Sequence, residues 1–300
     1  LRDAIRAGRL RSDSRMPSSR VLASDVGVSR RLVVDTYAQL IAEGFLVSRH
    51  GAGTFVARID PGAETASSNQ PPAARYTTDF SAGVPDLRSF PRNTWLRALR
   101  QGLADLPSES LGYPAPQGLP ETRQAIADYL RRTRGVVADP ERIVLCCGAT
   151  QGIGLVAQVL RERAGTTVAM EDPGFWLHRL IFRRNGIEPI PVEVDEDGLD
   201  VTALGGGAAT AVLTTPSHQC PTGVVMTAAR RTELLDWAQA GNLILEDDYD
   251  AEYRYDRQPV GALQGLTPER VIYIGSASKI LAPGLRMGWL VAPRDRKSVV

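Results

Sequence analysis

The sequence predicts an α+β module over residues 1–57 and an α/β domain with a mostly parallel sheet over residues 79–300. Three observations predict this. A basic stretch of short capped helices ends in two β-type runs around a glycine turn, a stretch almost empty of large aliphatic residues follows, and apolar runs then alternate with amphipathic helices to the end. With 300 residues, 43% hydrophobic and 23% charged, the chain has material for more than one core. Formal net charge is +1, yet residues 1–58 carry ten Arg against five acids, net +5, while 59–300 carry 25 basic and 29 acidic residues, net −4. A basic module is therefore joined to a neutral or acidic body.

Composition also excludes several classes. Three Cys, two of them adjacent (Cys146, Cys147), form neither a disulfide framework nor a CxxC-type metal site, so no metal is expected. No segment approaches the roughly 20 apolar residues of a membrane span, and no signal-peptide pattern is present. The expectation is a cytoplasmic protein with no membrane partner. The chain opens with Leu1 inside a helix-like segment and stops at Lys-Ser-Val-Val, so both ends are expected to be incomplete.

In the basic module, Leu1–Leu10 reads as the tail of a helix, with apolar residues at 1, 5 and 10. Ser18 or Ser19 N-caps a short helix running through Asp25, Gly27 makes the turn, and Ser29 caps a second helix. That helix aligns Val33, Tyr37, Leu40, Ile41 and Gly44 on one stripe and leaves Arg30 and Arg31 in its exposed first turn. Phe-Leu-Val-Ser-Arg and Thr-Phe-Val-Ala then flank His50-Gly51-Ala52-Gly53 as a hairpin. Helix, turn, helix and hairpin make a winged helix-turn-helix.

Residues 58–78 read as a linker, rich in Ala, Pro, Ser and Thr. Beyond it the β-type runs are Arg142–Cys147, Thr167–Met170, Ala209–Thr215, Leu243–Leu245, Val271–Ile274 and Met287–Val291. Helices such as Ala149–Arg163 and Thr227–Ala240 lie between them, the latter capped by Thr227 and stopped by Gly241. In sheets of this kind ligands bind beyond the carboxyl ends of the strands. The polar and glycine-rich clusters fall there.

Lys279 follows the run Val-Ile-Tyr-Ile in Gly-Ser-Ala-Ser-Lys, and only Lys297 offers another side-chain amine. A lysine among small residues can form a Schiff base with an aldehyde cofactor, for which pyridoxal phosphate is the natural candidate. Asp247, at the end of Leu-Ile-Leu-Glu, is placed to pair with a protonated pyridine nitrogen, and Tyr249 to hydrogen-bond the phenolic oxygen. The competing assignment for Glu246, Asp247, Asp248 and Asp250 is a metal site or a solvated acidic turn. Gly148-Ala149-Thr150-Gln151 joins a strand to a helix, where free N–H groups and the helix dipole attract phosphate, and Ser276, Ser278 and Arg286 complete the cradle. Phe175, in Glu-Asp-Pro-Gly-Phe, is a candidate to stack on the pyridine ring or an ordinary core residue.

Thr-Pro-Ser-His-Gln-Cys-Pro-Thr-Gly (215–223), Glu-Asp-Asp-Tyr-Asp-Ala-Glu-Tyr-Arg-Tyr (246–255) and Ser-Ala-Ser-Lys-Ile-Leu-Ala-Pro-Gly-Leu-Arg-Met-Gly (276–288) closely resemble the MocR/GabR family. Pro-Ser-Ser-Arg (17–20), Gly-Val-Ser-Arg (27–30) and Gly-Ala-Gly-Thr-Phe-Val (51–56) match its DNA-binding half. The resemblance covers essentially the whole chain. It implies a GntR-type winged helix fused to a fold-type I aminotransferase-like domain, here without the small domain. It further implies Lys279 as the Schiff-base lysine and Asp247 and Tyr249 as partners of the ring nitrogen and phenolic oxygen. Ala149, Thr150, Ser276, Ser278 and Arg286 resemble phosphate contacts, Phe175 the stacking residue, and Tyr113 the tyrosine that reaches the neighbouring subunit's cofactor in a head-to-tail homodimer. One departure stands out: aminotransferases of this fold usually carry Asn-Pro-x-Gly where this chain has Cys220-Pro221-Thr222-Gly223. The regulators share His-Gln-x-Pro at that point, which favours a regulator.

A winged helix reads DNA by placing its second helix in the major groove while flanking groups hold phosphates. Arg20, Ser29, Arg30 and Arg31 near helix N-termini, with His50 and Gly51 at the wing tip, are the candidate contacts to a double-stranded operator. The expected function is a pyridoxal phosphate-dependent transcription regulator that senses an amino compound, or the cofactor itself, by aldimine exchange at Lys279. The alternatives are an active aminotransferase carrying a winged helix, and a DNA-binding protein whose truncated body holds no cofactor.

Overall fold

The computed structural model describes residues 1–58, 78, 83–163, 165–207, 209–250, 252–253 and 260–294. Most of the expected linker, and Lys297, lie outside the described residues. The chain divides into two compact units, Leu1–Phe80 and Ser81–Val300.

The first unit follows its capping residues closely. Helix α1 (Arg2–Arg6) buries Ile5; α2 (Ser19–Val26) is capped by Ser18, whose Oγ accepts from the Val21 N–H at 3.3 Å; α3 (Arg30–Ala42) is capped by Ser29, accepting from Leu32 N–H at 3.2 Å. Gly27 ends α2 in the left-handed region (φ 70°), which glycine adopts without a Cβ penalty. Strands β1 (Leu46–Arg49) and β2 (Gly53–Val56) pair antiparallel from Leu46↔Val56 to Arg49↔Gly53, which puts His50 and Gly51 at the hairpin tip. Val33, Tyr37 and Leu40 pack with Ile5, Met16, Ala23, Leu46 and Val56 into one core. The expected stripe is one residue too wide. Ile41 is 37% exposed, and Gly44 lies beyond the helix end.

The second unit carries α4 (Arg92–Asp105), α5 (Pro120–Arg134), β3 (Ile143–Cys146), α6 (Ala149–Glu162), β4 (Val168–Asp172), α7 (Trp176–Arg184), β5 (Ile190–Asp195), β6 (Gly198–Leu199), β7 (Ala211–Thr214), α8 (Ala228–Gln239), β8 (Leu243–Asp248), β9 (Val271–Ser276) and β10 (Gly288–Val291). The sheet runs β3-β10-β9-β8-β7-β4-β5-β6. Strands β9, β8, β7, β4 and β5 are parallel; β10 is antiparallel to both β9 and β3, and β6 is antiparallel to β5. Two findings depart from the sequence expectation. Met287–Val291 returns from β9 without an intervening α-helix, so it runs against its neighbours. Strand β5 lies outside the expected runs; Pro191 within it argues against a strand in the sequence, although its residues alternate in exposure as a half-buried strand does.

Alternate residues of the central strands enter separate cores. Leu243 and Leu245 of β8 pack with Ile153, Val156 and Phe182 of α6 and α7, whereas Ile244 packs with Leu234 and Ala238 of α8. The period of two continues past Leu245, so Asp247 belongs to the α6/α7 face and Glu246 and Asp248 to the α8 face.

Ser29→Ala removes the α3 cap at a cost of about 1 kcal/mol. Hydrogen exchange of the α3 amides should accelerate by about fivefold, and unchanged exchange would show that the cap contributes nothing.

Candidate functional site

The carboxyl ends of β4, β7, β8 and β9, with the turn after β3, gather most of the predicted site residues. Asp247 is 4% exposed; its Oδ2 lies 3.3 Å from His178 Nε2, and its Oδ1 is buried with no hydrogen-bond partner among the described residues. Burial, reinforced by the charges of Asp248, Glu171 and Asp250, pushes the Asp247 carboxyl up to about 7, with Lys279 opposing. Burial also holds His178 down at about 4, so its imidazole is neutral at physiological pH. Phe175, immediately before α7, stands edge-on to His178 with ring centroids 5.1 Å apart. One helical turn thus connects Phe175 to the carboxylate through His178. His178 lies outside the site residues expected from sequence, although its Phe-x-x-His spacing from Phe175 is a usable signal.

The phosphate-cradle residues converge on close backbone approaches. Gly148 precedes α6 at φ 86°, and no described side chain caps that helix. A Cβ on Gly288 would fall 2.7 Å from Gly148 Cα, and a Cβ on Gly148 would fall 3.0 Å from Arg286 Nη2. Arg286, itself left-handed at φ 52°, donates from Nη2 to the Cys147 carbonyl at 2.6 Å. Gly288 pairs in register with Ser276 on one side and Cys146 on the other. Ala149, Thr150, Ser276 and Arg286 therefore border one turn, with half-buried Ser278 two residues beyond Ser276.

Lys279 donates from Nζ to the Gly83 carbonyl at 2.5 Å. It lines a cleft of about 430 Å³ together with Tyr249, Asp250, Tyr253 and Phe90. The Tyr249 hydroxyl is 3.3 Å from His218 Nδ1, which is 2.8 Å from Asp250 Oδ2. Glu171, one of the polar residues expected at the strand ends but with no role assigned from sequence, accepts from Thr214 Oγ1 (2.5 Å), Thr215 N–H (3.0 Å), Thr215 Oγ1 (2.7 Å) and Gln219 Nε2 (3.1 Å), and so anchors the loop that carries His218 and Cys220.

Two carboxylates of the acidic run, Glu246 and Asp248, are taken up by buried hydrogen bonds. Asp248 accepts from Arg134 Nε and the Tyr273 hydroxyl, both at 2.7 Å, and Glu246 accepts from Leu263 N–H at 2.8 Å and Gln264 N–H at 3.0 Å. Among the described residues no group of His, Cys, Asp and Glu side chains can hold a metal ion, and no helix is long and apolar enough to cross a membrane. Tyr113 is fully exposed and reaches nothing in this site. Arg20, Ser29, Arg30, Arg31, His50 and Gly51 are all exposed on the first unit.

The raised Asp247 carboxyl has a consequence for stability. The folded protein keeps this proton up to about pH 7, whereas an unfolded chain releases it near pH 4, so stability falls as pH rises through that window and levels off above it. Asp247→Asn should remove up to one proton from the slope, about 1.4 kcal/mol per pH unit, in denaturant titrations. Glu246, which burial and Asp248 also push to about 7, and Glu171 and Asp250, which burial likewise pushes up, contribute to the remaining decline.

Comparisons with known proteins identify the families of the two parts of the chain. Residues 1–56 match the gntR family of bacterial regulatory proteins, and residues 76–300 match the aminotransferase class I and II family. The probable rhizopine catabolism regulatory protein MocR of Rhizobium meliloti is 36% identical over 98% of this chain and 64% of its own length. The pyridoxine biosynthesis transcriptional regulator PdxR of Corynebacterium glutamicum is 36% identical over 100% of this chain and 66% of its own. The chain thus spans slightly less than two thirds of these relatives. Among solved structures, an archaeal alanine:glyoxylate aminotransferase superposes with a TM-score of 0.65 at 31% identity, covering 73% of this chain and 56% of that one. The α-aminoadipate aminotransferase LysN of Thermus thermophilus superposes at 0.65 with 28% identity, over 73% of this chain and 58% of that one. With a gntR-type helix-turn-helix and an aminotransferase class I/II domain in one polypeptide, the chain belongs to the MocR/GabR family of transcription regulators.

Proposed function

We propose that this chain is the DNA-binding and cofactor-binding part of a pyridoxal phosphate-dependent transcription regulator. The observation that carries the cofactor is Asp247: one carboxylate oxygen rests on neutral His178, and the other is buried without a partner among the described residues. A protonated ring nitrogen supplies what that oxygen lacks. The donor set fits the rest of the group as well. The Gly148–Gly288 approach and the uncapped start of α6 favour phosphate, with Ala149, Thr150, Ser276, Ser278 and Arg286 around it.

When bound, pyridoxal phosphate supplies an aldehyde and an electron-withdrawing ring. The chain's own residues do the rest. Lys279 would bring the amine, Asp247 would hold a proton on the ring nitrogen, Phe175 would cover the ring, and Tyr249 would meet the phenolic oxygen. An amino compound would compete with the Lys279 amine for the cofactor's aldehyde, and that exchange would be the signal that alters DNA binding. Such coupling requires a difference in effector affinity between the DNA-bound and free states. In a head-to-tail homodimer, exposed Tyr113 extends toward the neighbouring site, and two winged helices engage two half-sites of a double-stranded operator. Turnover as an aminotransferase is the second reading, favoured by the likeness to solved aminotransferases at 28–31% identity.

Lys279→Ala should abolish the visible absorption band that the cofactor acquires on binding; a band that persists in this variant would rule out Lys279 as the attachment point. Arg30→Ala should weaken operator binding by about 5- to 100-fold, roughly 1–3 kcal/mol. Footprinting of the full-length protein with pyridoxal phosphate and a panel of amines tests the regulator itself. A footprint indifferent to every ligand removes the sensing mechanism, and repeated turnover of an amino donor and a keto acid establishes the enzyme reading.

A further inference from the structure

The loop after β7 places His218 where the proposed cofactor chemistry gives it no role. It is held from both sides: Ser217 Oγ accepts from buried Arg134 Nη2 at 3.1 Å, and Gln219 Nε2 donates to Glu171 Oε2 at 3.1 Å and to the Pro173 carbonyl at 2.8 Å. The imidazole stacks on Tyr249 with ring centroids 6.0 Å apart and planes 18° from parallel. On its other edge, a Cβ on Gly223 would fall 3.6 Å from His218 Nε2. The ring therefore has a defined orientation.

That orientation settles where the protons sit. His218 Nδ1 faces Asp250 Oδ2 at 2.8 Å, and two acceptors at that distance repel, so Nδ1 carries a hydrogen and donates it. A protonated Nδ1 has no lone pair, so it cannot accept from the Tyr249 hydroxyl 3.3 Å away. Tyr249 meets His218 through an oxygen lone pair, and its own proton is left for another acceptor. Asp250 competes for that proton, since it also hydrogen-bonds Tyr249. That carboxylate already accepts from His218 Nδ1–H at 2.8 Å, which lowers its pull on the phenol.

Resting on the cofactor assignment above, we propose that His218 is a positioning residue. Locked as its Nδ1–H tautomer by Asp250, it keeps the Tyr249 hydroxyl proton available to the phenolic oxygen of pyridoxal phosphate. Cys220 sharpens the requirement. A thiol is a weak donor where an Asn amide would be a good one, so recognition of that oxygen depends more heavily on the direction of the Tyr249 proton.

Two measurements test this. Nitrogen-15 NMR of the histidines in the cofactor-free chain should show His218 with hydrogen on Nδ1 and a bare Nε2; the opposite tautomer overturns the proposal. Pyridoxal phosphate affinity, followed by absorbance titration, should then fall about three- to tenfold in His218→Phe and in Tyr249→Phe, the scale of one hydrogen bond. The double variant should bind within twofold of Tyr249→Phe alone, because His218 acts through Tyr249. Losses that multiply overturn the proposal. His218→Asn, whose amide can replace Nδ1–H, should bind within twofold of the parent protein, which separates proton direction from a purely structural role and serves if the Phe variant fails to fold. A parent protein that takes up no pyridoxal phosphate is a different result: it overturns the cofactor assignment itself, while the tautomer still reports the proton arrangement.

Discussion

Three consecutive carboxylates, Glu246, Asp247 and Asp248, are buried at the end of β8, and their neutralisation organises much of the second unit. An ionised carboxylate taken out of water without partners costs several kcal/mol, so each must find donors or keep a proton. Strand alternation separates them. On the α8 face, Arg134 and Tyr273 satisfy Asp248, and backbone N–H groups of Leu263 and Gln264 satisfy Glu246. These contacts tie α5, β9 and the short turn at Leu263–Gly265 to the strand. Asp247, on the other face, has only neutral His178 among the described residues. Asp247 is thereby left as the carboxylate with a buried oxygen that has no partner among the described residues.

Close backbone packing complements that charge. The antiparallel return of β10 brings Gly288 against Gly148, where even a methyl group would fall 2.7 Å from Gly148 Cα. The strand end that carries Ser276 and the start of α6 are thereby held side by side. Arg286, bound to the Cys147 carbonyl, adds positive charge at the same turn. An anion cradle built from backbone and glycine is more rigid than one built from long side chains, since fewer rotamers must be ordered on binding. The two ends of the proposed cofactor thus meet different physics: a fixed dipole and a cation at one end, a buried carboxylate at the other.

Some of this was legible in the sequence because it is local. Ser18, Gly27 and Ser29 mark helix ends through contacts only a few residues away, and Thr227 caps α8 in the same manner. Lys279, Asp247 and Tyr249 were legible as candidates because each sits just past an apolar strand, where α/β folds place their ligands. Other features left no local trace. Glu171 looked like any acid after a strand, yet it accepts four hydrogen bonds from residues 43 to 48 positions away. Ile41 fitted the helical stripe, and only the three-dimensional packing left it partly exposed.

By itself the sequence determined the two-part architecture, the caps, the glycine turns and the set of residues capable of amine, carboxylate and phosphate chemistry, since all of these follow from short-range propensity and hydrophobic period. Tertiary structure alone decided the direction of β10, the pairing of Asp248 with Arg134, the neutral His178 beside Asp247 and the meeting of His218 with Tyr249 and Asp250. The physical reason is desolvation. Whether a carboxylate is an ion pair, a proton carrier or a helix cap depends on which groups exclude water from it, and those groups are brought together only when strands distant in sequence become neighbours in the sheet.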